Sequence, residues 1–290
     1  MGGTLYMQES HSREVAANLK SFSESFFRPS DSPALNTNFD YSFYGPLFGK
    51  KADDIVIPDE LANTPKNTIL NYFSILREAS NLEEGKSAGC GTIGYATIPY
   101  PVAYQFLSVD YQTLLSYEKY LKSFENILHI SLIKFCEVPI YDNENNTVRY
   151  FLELETIEGT EKNIGVFAYY YGYIDLNKKN KVYRITDLNF YGENFLCAPY
   201  HGWQWDAIAS VQIRYGGWCH LIKELHEKTQ EDYVINVPFL GTDGFEYRIV
   251  FYRLTNNTDL KIAQYRKKNR KDWELIQLHP QDCLEKEWER

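Results

Sequence analysis

The sequence predicts an α+β fold built from two tandem units, each with helices packed on a bent four-stranded antiparallel meander. Three observations carry this expectation. Stretches near 64–128 and 206–225 space their apolar residues in steps of three and four, the signature of a helix face. Each stretch is followed by runs of period-two alternation, separated by turns rich in Asn, Asp, Gly and Lys. Two of those runs also look alike: VRYFLELETIEGTEKNIGVFAYYYG beside FEYRIVFYRLTNNTDLKIAQYRKKN.

Taken in order, residues 1–61 read as an N-terminal arm or linker. A short helix is suggested by Val15, Leu19, Phe22 and Phe26, and an aperiodic, proline-rich stretch follows it. The first α+β domain is expected over 62–196. Thr64 suits an N-cap and Pro65 the first helical position, ahead of an apolar stripe through Ile69, Tyr72, Phe73, Leu76 and Ala79. A helix is expected over Val102–Leu107 and another from about Tyr111 to Leu128. Strands are expected at His129–Tyr141, Val148–Ile157, Ile164–Ile174 and Val182–Tyr191. The second, smaller domain is expected over 197–290. Asp206–Leu225 has helical spacing, broken at Gly216-Gly217 into two helices. Strands follow at Tyr233–Leu240, Phe245–Leu254, Leu260–Arg266 and Trp273–Leu278, with Asp243-Gly244 as a strong hairpin signal.

Composition limits the function classes. The 290 residues carry 30 Lys plus Arg against 39 Asp plus Glu, a formal net charge of −9. A nucleic-acid backbone binder is normally basic, so no nucleic-acid partner is expected. No run of about 18 apolar residues occurs, so no integral membrane segment is expected. Aromatics make up 16% of the chain, with 24 Tyr and 17 Phe, which favours strands and aromatic packing. The cysteines are Cys90, Cys136, Cys197, Cys219 and Cys283, an odd set without C-x-x-C. They lead us to expect no intramolecular disulfide and a reducing compartment. The N-terminal residues carry no basic-then-apolar leader, so the location reads as cytoplasmic on the sequence as given. A cell-envelope or exported protein stripped of its signal would read the same way.

The order Thr64-Pro65, a helix with Tyr72-Phe73, a short helix around Tyr104–Leu107, then a helix and a meander resembles the nuclear transport factor 2-like superfamily. The resemblance covers roughly 62–195 and, more weakly, 203–280. TPKNTILNYFSIL leading to VAYQFLS is similar to envelope-associated members from Gram-positive bacteria. The resemblance implies curved sheets wrapped by helices into a cone with a pocket, in a family that hosts both enzymes and assembly modules.

Several groups carry residue types suited to chemistry. Gly89, Gly91 and Gly94 match G-x-G-x-x-G, but a helix precedes them and prolines follow, so a loop is expected rather than a phosphate cradle. The densest constellation is Cys197–Asp206, where Tyr200, His201, Trp203, Trp205 and Asp206 are the candidate ligand-binding residues. Zinc would need Cys197, His201, Cys219 and His220 together. Neighbouring Cys219 and His220 diverge on a helix, so no metal and no other cofactor is expected. The bland reading is a structural joint between the two domains, with Trp203 and Trp205 buried in it. Glu153, Glu155, Glu158 and Asp187 could be paired carboxylates, but their alternation with apolar residues reads as a solvated strand face. Tyr169, Tyr170, Tyr171 and Tyr173 either line a cavity or pack under the arm, and packing is the favoured expectation. Lys261, Arg266, Lys267, Lys268, Arg270 and Lys271 read as an exposed basic hairpin, with docking of an acidic partner as the alternative. The expected function is a non-catalytic binding or assembly module for a protein partner or small ligand, compatible with a homodimer. The alternative is a small-molecule enzyme, of lyase, isomerase or hydrolase type, using a cone-shaped pocket of one domain with His201 or a buried carboxylate as base.

Overall fold

A computed structural model of the chain describes residues 34–37, 41–82, 84–87, 95–141, 146–193, 202–267 and 272–288. These residues form two compact units, 34–193 and 202–288. Both are mixed α+β, with antiparallel, curled sheets. The expected N-terminal helix, the glycine-rich loop at 89–94, and Cys197, Tyr200 and His201 lie outside the described residues.

In the first unit, helix α1 spans Pro65–Arg77, with Pro65 at its first position and the Thr64 side chain accepting from Asn67 N at 3.1 Å. Its stripe of Ile69, Tyr72, Phe73 and Leu76 is buried. Helix α2 spans Pro99–Tyr104, earlier than expected because Pro99 opens it. The single helix expected from Tyr111 to Leu128 is two, α3 at Val109–Leu114 and α4 at Tyr117–Lys122. Ser108 and Ser116 each cap one of them, and Leu115 leaves the helical region between. Apolar spacing runs through such a break, so the periodicity concealed it.

Strands β1 (Ser80–Asn81), β2 (Tyr95–Ala96), β3 (Ile127–Val138), β4 (Val148–Glu158), β5 (Val166–Lys179) and β6 (Val182–Gly192) make one sheet in the order β2-β1-β3-β4-β5-β6. It holds six strands rather than four: the meander β3–β6 is present and two short strands extend it. The β5–β6 hairpin turns on Asn180 (φ 51°) and Lys181 (φ 71°), both left-handed, as a tight hairpin turn requires. Gly172 on β5 has no room for a side chain, because a Cβ there would overlap the carbonyl oxygen of Asn189 on β6.

Residues 34–37 and 41–62 belong to this unit instead of forming an arm. Tyr44, Ile55, Ile57 and Ala62 sit in its core with α1 and α2. Buried Asn36 donates to the carbonyls of Phe73 (3.0 Å) and Ile130 (2.9 Å) and accepts from Leu132 N (2.9 Å). One amide thus ties the segment to both the helix and the sheet.

In the second unit, helix α5 (Ala207–Val211) runs directly into a π-helical segment, Gln212–Trp218. The glycine pair lies inside that wide turn rather than between two helices. His220 then takes a left-handed backbone (φ 51°), and Leu221 N donates back to Tyr215 O at 2.8 Å, ending the segment. The sheet comprises β7 (Ile222–Leu225), β8 (Thr229–Glu231), β9 (Val234–Gly241), β10 (Glu246–Arg253), β11 (Asp259–Lys267) and β12 (Trp273–Leu275). Its order is β12-β11-β10-β9-β7, with β8 also pairing β9, so this sheet too exceeds the expected four-stranded meander. Ala207, Val211 and Tyr215 pack on Ile235, Val237, Phe239, Tyr247, Ile249 and Phe251. Beside them, buried Asp259 accepts from Ala207 N at 2.9 Å and holds Arg253 with both oxygens, at 2.7 and 2.9 Å. A last helix, α6, covers Gln281–Trp288.

The cysteine expectation is overturned. Cys219, at the end of the π-helical segment, is bonded to Cys283 on α6, 64 residues away. An odd count does not argue against one bridge, and partners so far apart leave no mark in local spacing. Cys136 on β3 is free, and burial pushes its thiol up to about 12, so it stays protonated. No helix among the described residues is long and apolar enough to cross a membrane.

Candidate functional site

The site with the most developed geometry is a cavity of about 360 Å³ in the first unit, between the helices and the face of the sheet they cover. Helix α1 supplies Tyr72, Phe73 and Leu76, and the α3–α4 region supplies Tyr111, Leu115, Tyr120, Ser123 and Phe124. The floor comes from alternate residues of the meander: Ile130, Leu154, Thr156, Tyr170, Leu188 and Phe190, with Ile127. Alternation is what places them there, since Leu154 and Thr156 face the helices while Glu153 and Glu155 face away.

The wall is apolar with a few hydroxyls. Tyr120 OH donates to Tyr72 OH at 3.2 Å, and Tyr111 OH accepts from Leu188 N at 3.2 Å. Burial is the main cause that raises the pKa of Tyr72, Tyr111, Tyr120 and Tyr170, so all four stay protonated and neutral well above pH 7. Among the described residues, no Asp, Glu, Lys, Arg, His or Cys lines the cavity. One carboxylate, that of Glu158, joins the hydrogen-bond network of the lining. Its Oε1 accepts from Tyr170 OH at 2.7 Å and Thr156 Oγ1 at 2.9 Å, both lining groups.

The four carboxylates of the sequence reading do not form one site. Glu153 and Glu155 are buried on the opposite face rather than solvated, a correction to the expectation. There Lys134 Nζ lies 3.4 Å from Glu153 Oε2, and Tyr169 OH donates to Glu155 Oε2 at 2.9 Å. The tyrosine run divides the same way: Tyr170 lines the cavity, while Tyr171 and Tyr173 pack on Phe151 across the other face. Asp187 accepts from the side chain of Asn189 at 3.2 Å.

Of the candidate ligand-binding set, Trp203, Trp205 and Asp206 are described. Trp203 and Trp205 lie half-buried on a single 3-10 turn, Gly202–Trp205. Asp206 is spent as the cap of α5, accepting from Ala209 N at 2.8 Å. Trp203 meets Trp218 edge-on at 5.6 Å and lies 5.4 Å from the Arg214 guanidinium, partners within its own unit. The disulfide removes Cys219 from the considered zinc set. The basic hairpin also divides. Arg266 pairs with Glu274 (3.1 Å) and Lys267 with Glu246 (2.6 Å), whereas Lys261 faces Tyr215, whose hydroxyl is 3.5 Å away.

The resemblance implies a pocket and the tyrosine run offers Tyr170 to it, but the rest of the wall is the ordinary apolar stripe of α1 and the inward residues of each strand, which do not mark a hollow in the sequence. A further usable signal was the number of hydroxyl-bearing aromatics on those inward positions. No protein-family model, curated protein or solved structure significantly matches the chain.

Proposed function

We propose that the chain is a non-catalytic binding module whose first unit takes a small, neutral, largely apolar molecule. The observation that carries this is a cavity of about 360 Å³ with an uncharged aromatic and aliphatic wall. That volume suits a two- or three-ring compound, and burial of its apolar surface would supply the affinity. Catalysis of proton transfer needs a titratable group within hydrogen-bond reach of substrate, and among the described residues the lining offers high-pKa phenols and aliphatic hydroxyls. Helices over a curled sheet with an apolar hollow also support the nuclear transport factor 2-like reading, which we keep as a proposal. The Cys219–Cys283 bridge supports a disulfide-permitting compartment over the cytoplasm.

A matched pair of fluorescent probes tests this. N-phenyl-1-naphthylamine is neutral, and 8-anilinonaphthalene-1-sulfonate has the same skeleton with a fixed charge. The neutral probe should bind saturably and at least about tenfold more tightly, because an unpaired sulfonate is costly to bury. Equal binding of the two, or tighter binding of the sulfonate, would contradict the proposal.

Glu158 favours a second reading, an enzyme in which this carboxylate works through Tyr170 or Thr156. In that case Glu158→Gln would leave probe affinity intact yet abolish turnover of whatever substrate occupies the cavity.

A further inference from the structure

Arg214 and Lys261 are two cations of the second unit that no described carboxylate pairs with. Arg214, on the π-helical segment, has its guanidinium 5.4 Å from the Trp203 ring centre. Its buried Nε has no hydrogen-bond partner, and no carboxylate pairs with it. Lys261, on β11, faces the same segment from below, opposite Phe251 in the strand register. Its amine lies 3.5 Å from the Tyr215 hydroxyl, at the outer limit of a hydrogen bond.

The neighbouring groups are already committed. Asp259, two residues along the same strand face, holds Arg253 and caps Ala207 N. Arg266, further along, pairs with Glu274. Asp206 caps α5. Tyr215 donates its proton to Gln264 Oε1 at 2.8 Å, and the Gln264 amide donates to Leu278 O at 3.2 Å. Burial, and then the nearby Arg214 charge, lower the Lys261 amine to about 8, with no acid opposing the shift. Trp203 and Trp218, set edge-on at 5.6 Å, add apolar surface beside Arg214.

We propose that Arg214 and Lys261 form a binding site for a small aromatic carboxylate. Its oxygens would accept from the guanidinium and the amine, and its ring would lie against Trp203. The chemistry follows from what is missing: a buried guanidinium donor without an acceptor and an ammonium without an anion are both satisfied by one carboxylate. A negative charge beside Lys261 would also favour its protonated form. The indole supplies a surface on which a planar ring can pack.

The test is calorimetric titration of the full chain with sodium benzoate, with benzamide as the neutral isostere. Benzoate should bind one site at pH 6.5 at least about tenfold more tightly than benzamide. Its affinity should fall by about fivefold or more between pH 6.5 and pH 9.5, as Lys261 loses its charge. Lys261→Met and Arg214→Met should each weaken benzoate by about tenfold, whereas Lys223→Met, an exposed strand residue, should not. The comparison of benzoate with benzamide, and its pH dependence, use the unaltered protein, so a variant that fails to fold does not remove the test. Equal affinity for benzoate and benzamide, a flat pH profile, or folded variants that bind as the unaltered chain does would each overturn the proposal. Inorganic phosphate binding as tightly as benzoate would also overturn it, since the ring would then contribute nothing.

Discussion

Replacing Cys219 and Cys283 together by serine removes the one described cross-link in the second unit. The bridge spans 64 residues, so the chain-entropy estimate for the lost constraint is about 4 kcal/mol. For a unit of 87 residues (202–288) each kcal/mol moves the midpoint by about 4–8 °C, so the double variant should melt roughly 15–30 °C lower. Strain relief or residual structure in the unfolded chain would bring the shift towards the lower figure. The assay is selective because all five tryptophans, Trp203, Trp205, Trp218, Trp273 and Trp288, lie in the second unit. Tryptophan emission should therefore follow the shifted transition. The near-ultraviolet tyrosine signal, dominated by the first unit, should keep its midpoint. Guanidinium-denatured, unreduced protein should titrate at most three thiols. Five free thiols, or a tryptophan midpoint within about 2 °C of the unaltered chain, would refute the bridge and the stabilisation assigned to it.

Three further outcomes are expected. Asn36→Ala leaves Leu132 N and two carbonyls without their side-chain partner, and should cost the first unit about 2–4 kcal/mol in denaturant unfolding. Gly172→Ala should destabilise the same unit by about 1–3 kcal/mol, because the new methyl group must push β6 away at Asn189; an unchanged unfolding midpoint would count against the close approach. The Lys261 amine is lowered to about 8 from an ordinary 10.5, so below pH 8 it is charged in both states and its burial weighs against the fold. Between about pH 8 and 10.5 the folded chain has lost a proton that the unfolded chain keeps, so that penalty fades. The stability of the unaltered chain should accordingly gain on Lys261→Met between pH 7 and 9.5; a constant difference would contradict the shift.

Much of the fold could be read from the residues. Thr64-Pro65 marked α1 because capping is local chemistry, and Asp243-Gly244 and the turn before Val182 marked hairpins for the same reason. What escaped were features set by distant partners. Cys283 meets Cys219 only because α6 returns to the end of the π-helical segment. Asn36 looked like part of a linker because its three partners lie 37 to 96 positions away. Glu153 was read as solvated from its alternation with Leu152 and Leu154, yet both faces of β4 are buried, and alternation cannot reveal a covered second face. The cavity was hidden in the same way: its wall is made of residues that would equally well fill a solid core.

The most direct test of the binding proposal is a titration of the full chain with N-phenyl-1-naphthylamine beside Ser123→Trp. Ser123 lines the cavity from an exposed position, so a bulky side chain there can close the hollow without entering the core of the unit. The unaltered chain should show saturable, one-site enhancement of probe fluorescence. Probe at about a hundred times its dissociation constant should stabilise the first unit by about 2.7 kcal/mol. Ser123→Trp should keep its melting temperature without probe and lose both effects. If the folded variant binds the probe as the unaltered chain does, the ligand lies elsewhere and the cavity is not the binding site.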